Sequence, residues 1–114
     1  MNASWKKVGT IHDFPEDMGS CVKLAEQQIA IFRIASTSED EQWFAVQNLN
    51  PYNQRMVLSR GIVGSSEHGP KVACPLHKKP FSLKDGKHLG EGELPDLQIY
   101  PIKVENDEVF LKVA

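Results

Sequence analysis

The chain has 114 residues, 13 of them basic and 15 acidic, and a net charge of -2. That length suits one domain hiding roughly two thirds of its unfolded surface, and so even a charge gives no positive field for a phosphate backbone, which excludes nucleic acid as a partner. Met1 to Lys7 lacks the apolar run of a signal peptide, and the most apolar stretch, Ile29 to Ala35, is short and broken by Arg33; a cytoplasmic protein with no membrane association is expected, with Cys21 and Cys74 as free thiols.

Taken in chain order, the apolar patterning predicts short strands and no helix. Trp5 to Val8 is the first candidate. Met18 to Ala30 comes nearest to a helical period, but it opens on Gly19 and holds the branched Val22 and Ile29. Two strands around a Glu26-Gln27 turn are expected instead, the first over Cys21 to Leu24. The second, Gln28 to Ile34, places Ile29, Ile31 and Arg33 on one face and Ala30, Phe32 and Ile34 on the other, as in a strand covered on both sides. Trp43 to Val46 is rich in aromatic and branched side chains and follows a polar loop, Ser36 to Glu41, so it is expected to pair with the preceding strand. Further strands are expected at Lys71 to Ala73, Phe81 to Leu83, Leu97 to Val104 and Val109 to Val113, the last two joined by the hairpin loop Glu105-Asn106-Asp107-Glu108. Short strands at this spacing predict an all-β small sandwich or partly open barrel.

Pro, Gly and His concentrate between Asn48 and Pro95. Loops carried on a rigid sheet are where sites usually lie, so chemistry is sought there. Cys74-Pro75-Leu76-His77 offers a sulfur and an imidazole at a spacing that reaches one metal centre from a tight turn, but two donors cannot hold a cluster that needs four. Gly90-Glu91-Gly92 lacks the third glycine and the strand-to-helix setting of a dinucleotide site.

The order of these features resembles the Rieske family of [2Fe-2S] domains across nearly the whole chain, 1–114, with residues 48–95 as the former cluster-binding part. In that family a Cys-x-His box and a Cys-x-x-His box each give one thiolate and one imidazole. Here Trp43 to Asn48 resembles the strand into the first box and Leu58-Ser59-Arg60-Gly61 its exit, while Lys71 to Phe81 matches the second box with its strand and trailing aromatic. The first box reads Asn50-Pro51-Tyr52. An amide stands for the thiolate and a phenol, with an ordinary pKa near 10, for the imidazole, and neither supplies the soft donor a cluster requires.

Both the fold and the loss resemble the small subunits of assimilatory NAD(P)H-dependent nitrite reductase, through Trp5-Lys6-Lys7-Val8, Ile11 to Pro15, Ile29 to Arg33, Asn48 to Tyr52 and Val57 to Gly61. The resemblance implies a colourless accessory chain of nitrate assimilation, with no catalytic residue, cofactor or metal of its own. Its partner would be a large subunit that carries FAD, a [4Fe-4S] cluster and sirohaem and reduces nitrite to ammonium with NAD(P)H. On that view Cys74 and His77 are residual ligand positions and Asn50 and Tyr52 replaced ones. Leu76, His77, Lys78, Lys79 and Pro80 form a candidate docking surface. The bland alternatives are a core thiol at Cys74, a Tyr52 ring filling the emptied space and a merely solvated rim at His77, Lys78, Lys79 and His88. Two other functions compete: a Rieske-type ferredoxin that transfers electrons, and a zinc site of Cys74, His77 and either His68 or His88.

Overall fold

The structure is a computed structural model that describes residues 5–24, 26–34, 41–51, 54–67, 69–75, 79–90, 92 and 95–112. Its strands are β1 (Trp5–Thr10), β2 (Met18–Leu24), β3 (Gln27–Ile34), β4 (Gln42–Gln47), β5 (Leu49–Asn50), β6 (Arg55–Met56), β7 (Ile62–Ser66), β8 (Gly69–Ala73), β9 (Pro80–Ser82), β10 (Ile102–Glu105) and β11 (Glu108–Lys112). Single 3-10 turns at Ile11–Asp13 and Leu58–Arg60 are the helical pieces among the described residues. The fold is all-β, as the patterning predicts.

Strand β3 organises the molecule because both of its faces are apolar. Ala30, Phe32 and Ile34 join a core with Val46, Leu58, Val72, Cys74, Phe81, Leu83 and Leu97. Ile29 and Ile31 face the opposite way, into a second core with Phe14, Ala45, Tyr100, Val109 and Leu111. The antiparallel sheet β2-β3-β4 is therefore a middle layer between the sheets β1-β11-β10 and β7-β8-β9. Arg33 leaves this strand on the Ile29 side without becoming an unpaired buried charge. Its guanidinium donates to the Ile11 and Phe14 carbonyls at 3.0 and 3.1 Å, pairs with Glu41 and lies over the Trp43 ring.

The turns follow the local chemistry. Glu26 adopts a positive φ of 66° where β2 turns into β3, and Asn106 and Asp107 adopt 51° and 64° between β10 and β11, the geometry of a two-residue hairpin turn. The expected pairing of β3 with β4 is observed in register from Ile29↔Gln47 to Ile34↔Gln42. The loop between them from 35 to 40 lies outside the described residues. Two details differ from the sequence expectation. Leu97 to Val104 is not one regular strand: residues 97–101 run extended beside β4, with Gln47 N–H donating to Gln98 O at 2.9 Å and Tyr100 N–H to Ala45 O at 2.9 Å. Pro101, which has no N–H, breaks the ladder before β10 begins. Strand β7 was not expected at all, because Ile62-Val63-Gly64-Ser65-Ser66 offers no sustained alternation.

Candidate functional site

The first loop is built around Asn48, which is 1% exposed. Its Nδ2 donates to Gln28 Oε1 at 3.1 Å and to Cys21 Sγ at 3.5 Å, and its Oδ1 accepts the Ser59 N–H at 2.7 Å. Its backbone bonds to Gln28 O and to the Leu58 N–H complete a bracket that fixes the loop's entry and exit against β3. Between them Leu49 pairs with Met56 and Asn50 with Arg55, and Asn50 O accepts the Gln54 N–H at 2.8 Å. The turn needs Gln54 at a φ of 57°, and Gln54 Nε2 returns to Pro51 O at 3.0 Å. Asn50 itself is 1% exposed. A neutral amide is thus buried at the position where the Rieske pattern has its first thiolate; Tyr52 lies outside the described residues.

Beyond this hairpin the chain is wedged between sheets. Leu58 is fully buried, and a Cβ on Gly61 would stand 2.5 Å from Val72 Cγ2 and 2.6 Å from Ala73 O. A Cβ on Gly19 of β2 would collide with the Ser59 carbonyl and stand 2.7 Å from the Phe32 ring. Only hydrogen fits at either place, which lets the first loop lie against both β2 and β8.

The second loop is closed by two bonds between its ends. Cys74 N–H donates to Lys79 O at 3.0 Å, and Lys79 N–H donates to Cys74 Sγ at 3.1 Å. The sulfur is fully buried in the same core as Phe32, Val72 and Phe81. Pro75 is exposed and Pro80 half-buried, while Leu76, His77 and Lys78 lie outside the described residues, as does His68. His88 sits beside the loop, its ring 5.2 Å from that of Phe81, and its Nε2 finds no hydrogen-bond partner among the described residues. A cluster of the Rieske type asks for two thiolates and two imidazoles. Asn50, Tyr52, Cys74 and His77 supply one thiol and one imidazole at those four positions, so the donor set does not fit the group.

Cys21, the other free cysteine, is exposed on β2 next to Gln28 and Asn48, and partial burial pushes its thiol above the ordinary value. A groove of about 390 Å³ opens nearby between Gln27, Gln28, Met56, Gln98 and Tyr100. Burial raises the Tyr100 phenol above its ordinary pKa, and its hydroxyl donates to Gln27 Oε1 at 2.8 Å. It is protonated at neutral pH and is no general base. Sequence reasoning missed Asn48 as the bracket of the first loop. An Asn-Leu-Asn run reads as turn chemistry, and nothing in the sequence marks the first Asn as buried.

The chain matches the Rieske-like [2Fe-2S] domain family over residues 4–112. It is 34% identical over 110 residues to the small subunit of nitrite reductase (NADH) of Escherichia coli K12, covering 96% of this chain and 98% of that relative. The solution structure of the E. coli protein NirD superposes with a TM-score of 0.82 at 30% identity, covering 99% of both chains. The chain is also 35% identical over 107 residues to the nitrite reductase [NAD(P)H] large subunit of Klebsiella oxytoca, where it covers 94% of its own length and only 11% of that relative's.

Proposed function

The chain belongs to the Rieske-like [2Fe-2S] domain family and, within it, to the small subunits of NAD(P)H-dependent nitrite reductase, and we propose that it serves its complex as a cluster-free accessory subunit. In this role it binds the large subunit and performs no chemistry of its own. The large subunit carries FAD, a [4Fe-4S] cluster and sirohaem and reduces nitrite to ammonium with electrons from NAD(P)H, in the cytoplasm. The observation that carries the proposal is the buried Asn50 amide at the first ligand position. A carboxamide binds iron poorly beside a thiolate, whereas the hairpin around it is held by main-chain bonds that need no metal, Asn50 O accepting the Gln54 N–H at 2.8 Å. The Cys74 sulfur, engaged by the Lys79 N–H inside an apolar core, supports the same view.

The likeness to about a tenth of the K. oxytoca large-subunit chain supports the choice of partner, since a segment like this one is there part of the large subunit's own chain. The two former ligand loops, Asn50 to Tyr52 and Cys74 to Phe81, then form a recognition end, with Leu76, His77, Lys78, Lys79 and Pro80 contributing to contact. Nitrite-dependent oxidation of NAD(P)H by the purified large subunit, measured with and without this chain, tests the proposal. Turnover or stability of the large subunit should rise on adding a colourless small chain that is inert alone. No physical association, and no effect on turnover at saturating concentration, would reject it.

A further inference from the structure

We infer that the outer face of the β7-β8-β9 sheet is a docking surface for an apolar patch, rimmed by carboxylates, on the large nitrite reductase subunit. This rests on the subunit role proposed above and places contact beside the two former ligand loops as well as on them. Register fixes the composition of that face. Val63, Val72 and Phe81 stand opposite one another and point into the core, Val72 and Phe81 being fully buried. One residue further along, Ile62, Ala73 and Pro80 form the alternate row on the opposite face, with Ile62 exposed and Ala73 and Pro80 half-buried. Ile62 is 58% exposed, more than the exposed Met18, Met56 or Ile99. A lone exposed isoleucine proves little. This one starts a row that crosses three strands, and its other members, Ala73 and Pro80, flank the Cys74–Lys79 loop. In the next row on that face Gly64 stands beside Lys71, whose Cε lies 3.5 Å from where a Gly64 Cβ would stand, while Ser82 beyond Lys71 is 2% exposed, so this row is open only on its β7-β8 side. The missing side chain keeps the face flat and lets the lysine stem lie across it.

Charge distribution says what covers this face. Residues 48–95 hold seven basic and four acidic side chains, a net of +3; the remainder holds six basic and eleven acidic, a net of -5, which together give the overall -2. Lys7, Lys23, Arg33 and Lys103, all outside 48–95, are paired with Glu108, Glu26, Glu16 and Glu41, and Glu105. Arg60, exposed two residues before Ile62, and Lys71 form no ion pair among the described residues. An apolar row bordered by uncompensated cations complements an apolar patch with an acidic rim, and such charges speed and orient docking in a salt-dependent way.

The test measures affinity of the full chain for the purified large subunit, at low and high salt, for the wild type, Ile62→Asp, the double variant Arg60→Glu/Lys71→Glu, and the control Lys23→Glu. Thermal melting of each variant checks that it is folded. Affinity should fall about tenfold or more for Ile62→Asp and for the double variant. The wild type should weaken as salt rises, the double variant should lose most of that dependence, and the control should stay within about twofold of the wild type. Binding by folded Ile62→Asp and the folded double variant within about twofold of wild type would overturn the inference and leave the subunit role standing, and so would a salt-independent wild-type affinity. A wild type that fails to bind the large subunit at any salt would defeat the subunit role and this inference with it.

Discussion

Cys74, a residual ligand position on the family resemblance, is held in the structure by packing. Its sulfur fills space between Phe32, Val72 and Phe81 and accepts one backbone N–H, so Cys74→Ala removes one buried heavy atom and one acceptor. A loss of roughly 1–2 kcal/mol in stability is expected, readable by denaturant unfolding. Nitrite turnover of the reconstituted complex should stay near the wild-type value, whereas a residue holding iron would abolish it. Asn48 is the opposite case. Truncation to Ala strands the part-buried Ser59 N–H, whereas Gln28 Oε1, on an exposed residue, can turn to water. An orphaned group shielded from water costs about 1–3 kcal/mol, so Asn48→Ala should cost roughly 1–3 kcal/mol by the same measurement. Tyr100 sets an alkaline limit. Its folded pKa is raised above the ordinary value of 10 by burial, so the neutral phenol is favoured in the native state. The stability linked to it is complete below that value and declines as pH rises through the ordinary and then the folded pKa. Tyr100→Phe should give a shallower decline above pH 10 than wild type, and a decline of unchanged steepness would discount the assignment.

At the scale of elements, legibility depended on whether a strand's environment is printed in its own residues. Strand β3 was readable because an apolar run with two apolar faces has few stable destinations other than the middle of a three-layer stack. The β10-β11 hairpin was readable because Asn106 and Asp107 tolerate positive φ better than most residues. Strand β7 was not, since Val63 is the one apolar side chain on its inner face and glycine and serine leave the pattern blank; its pairing with β8 comes from the partner strand. The second ligand loop was readable as a unit from Cys74 to Phe81, and Cys74 as a core thiol was one of the alternatives. That Lys79 closes the loop through its backbone was not, because a backbone N–H has no sequence signature. The same limit hid the approach of Ser59 to Gly19. Gly19→Ala should force the Leu58–Arg60 turn away from β2 and cost about 1–3 kcal/mol, seen as a lower urea midpoint at unchanged slope.

For the whole molecule, a net charge of -2 conceals a separation into a positive loop-rich part and a negative remainder. Net charge alone argues against nucleic acid, yet it could not reveal a partner that meets one face only. The family was legible because the residues that carry it are local in sequence. The docking face was not, since Ile62, Ala73 and Pro80 come from three strands. The account rests on a scaffold held by packing and hydrogen bonds where metal would otherwise be needed. Its most direct test is to expose the purified chain to iron and sulfide under anaerobic reducing conditions, desalt it, and measure protein-bound iron, inorganic sulfide and visible absorbance. Background iron and sulfide, no charge-transfer bands and a melting transition unchanged by the treatment are predicted. Stoichiometric iron and sulfide with a charge-transfer spectrum that survives desalting would contradict it.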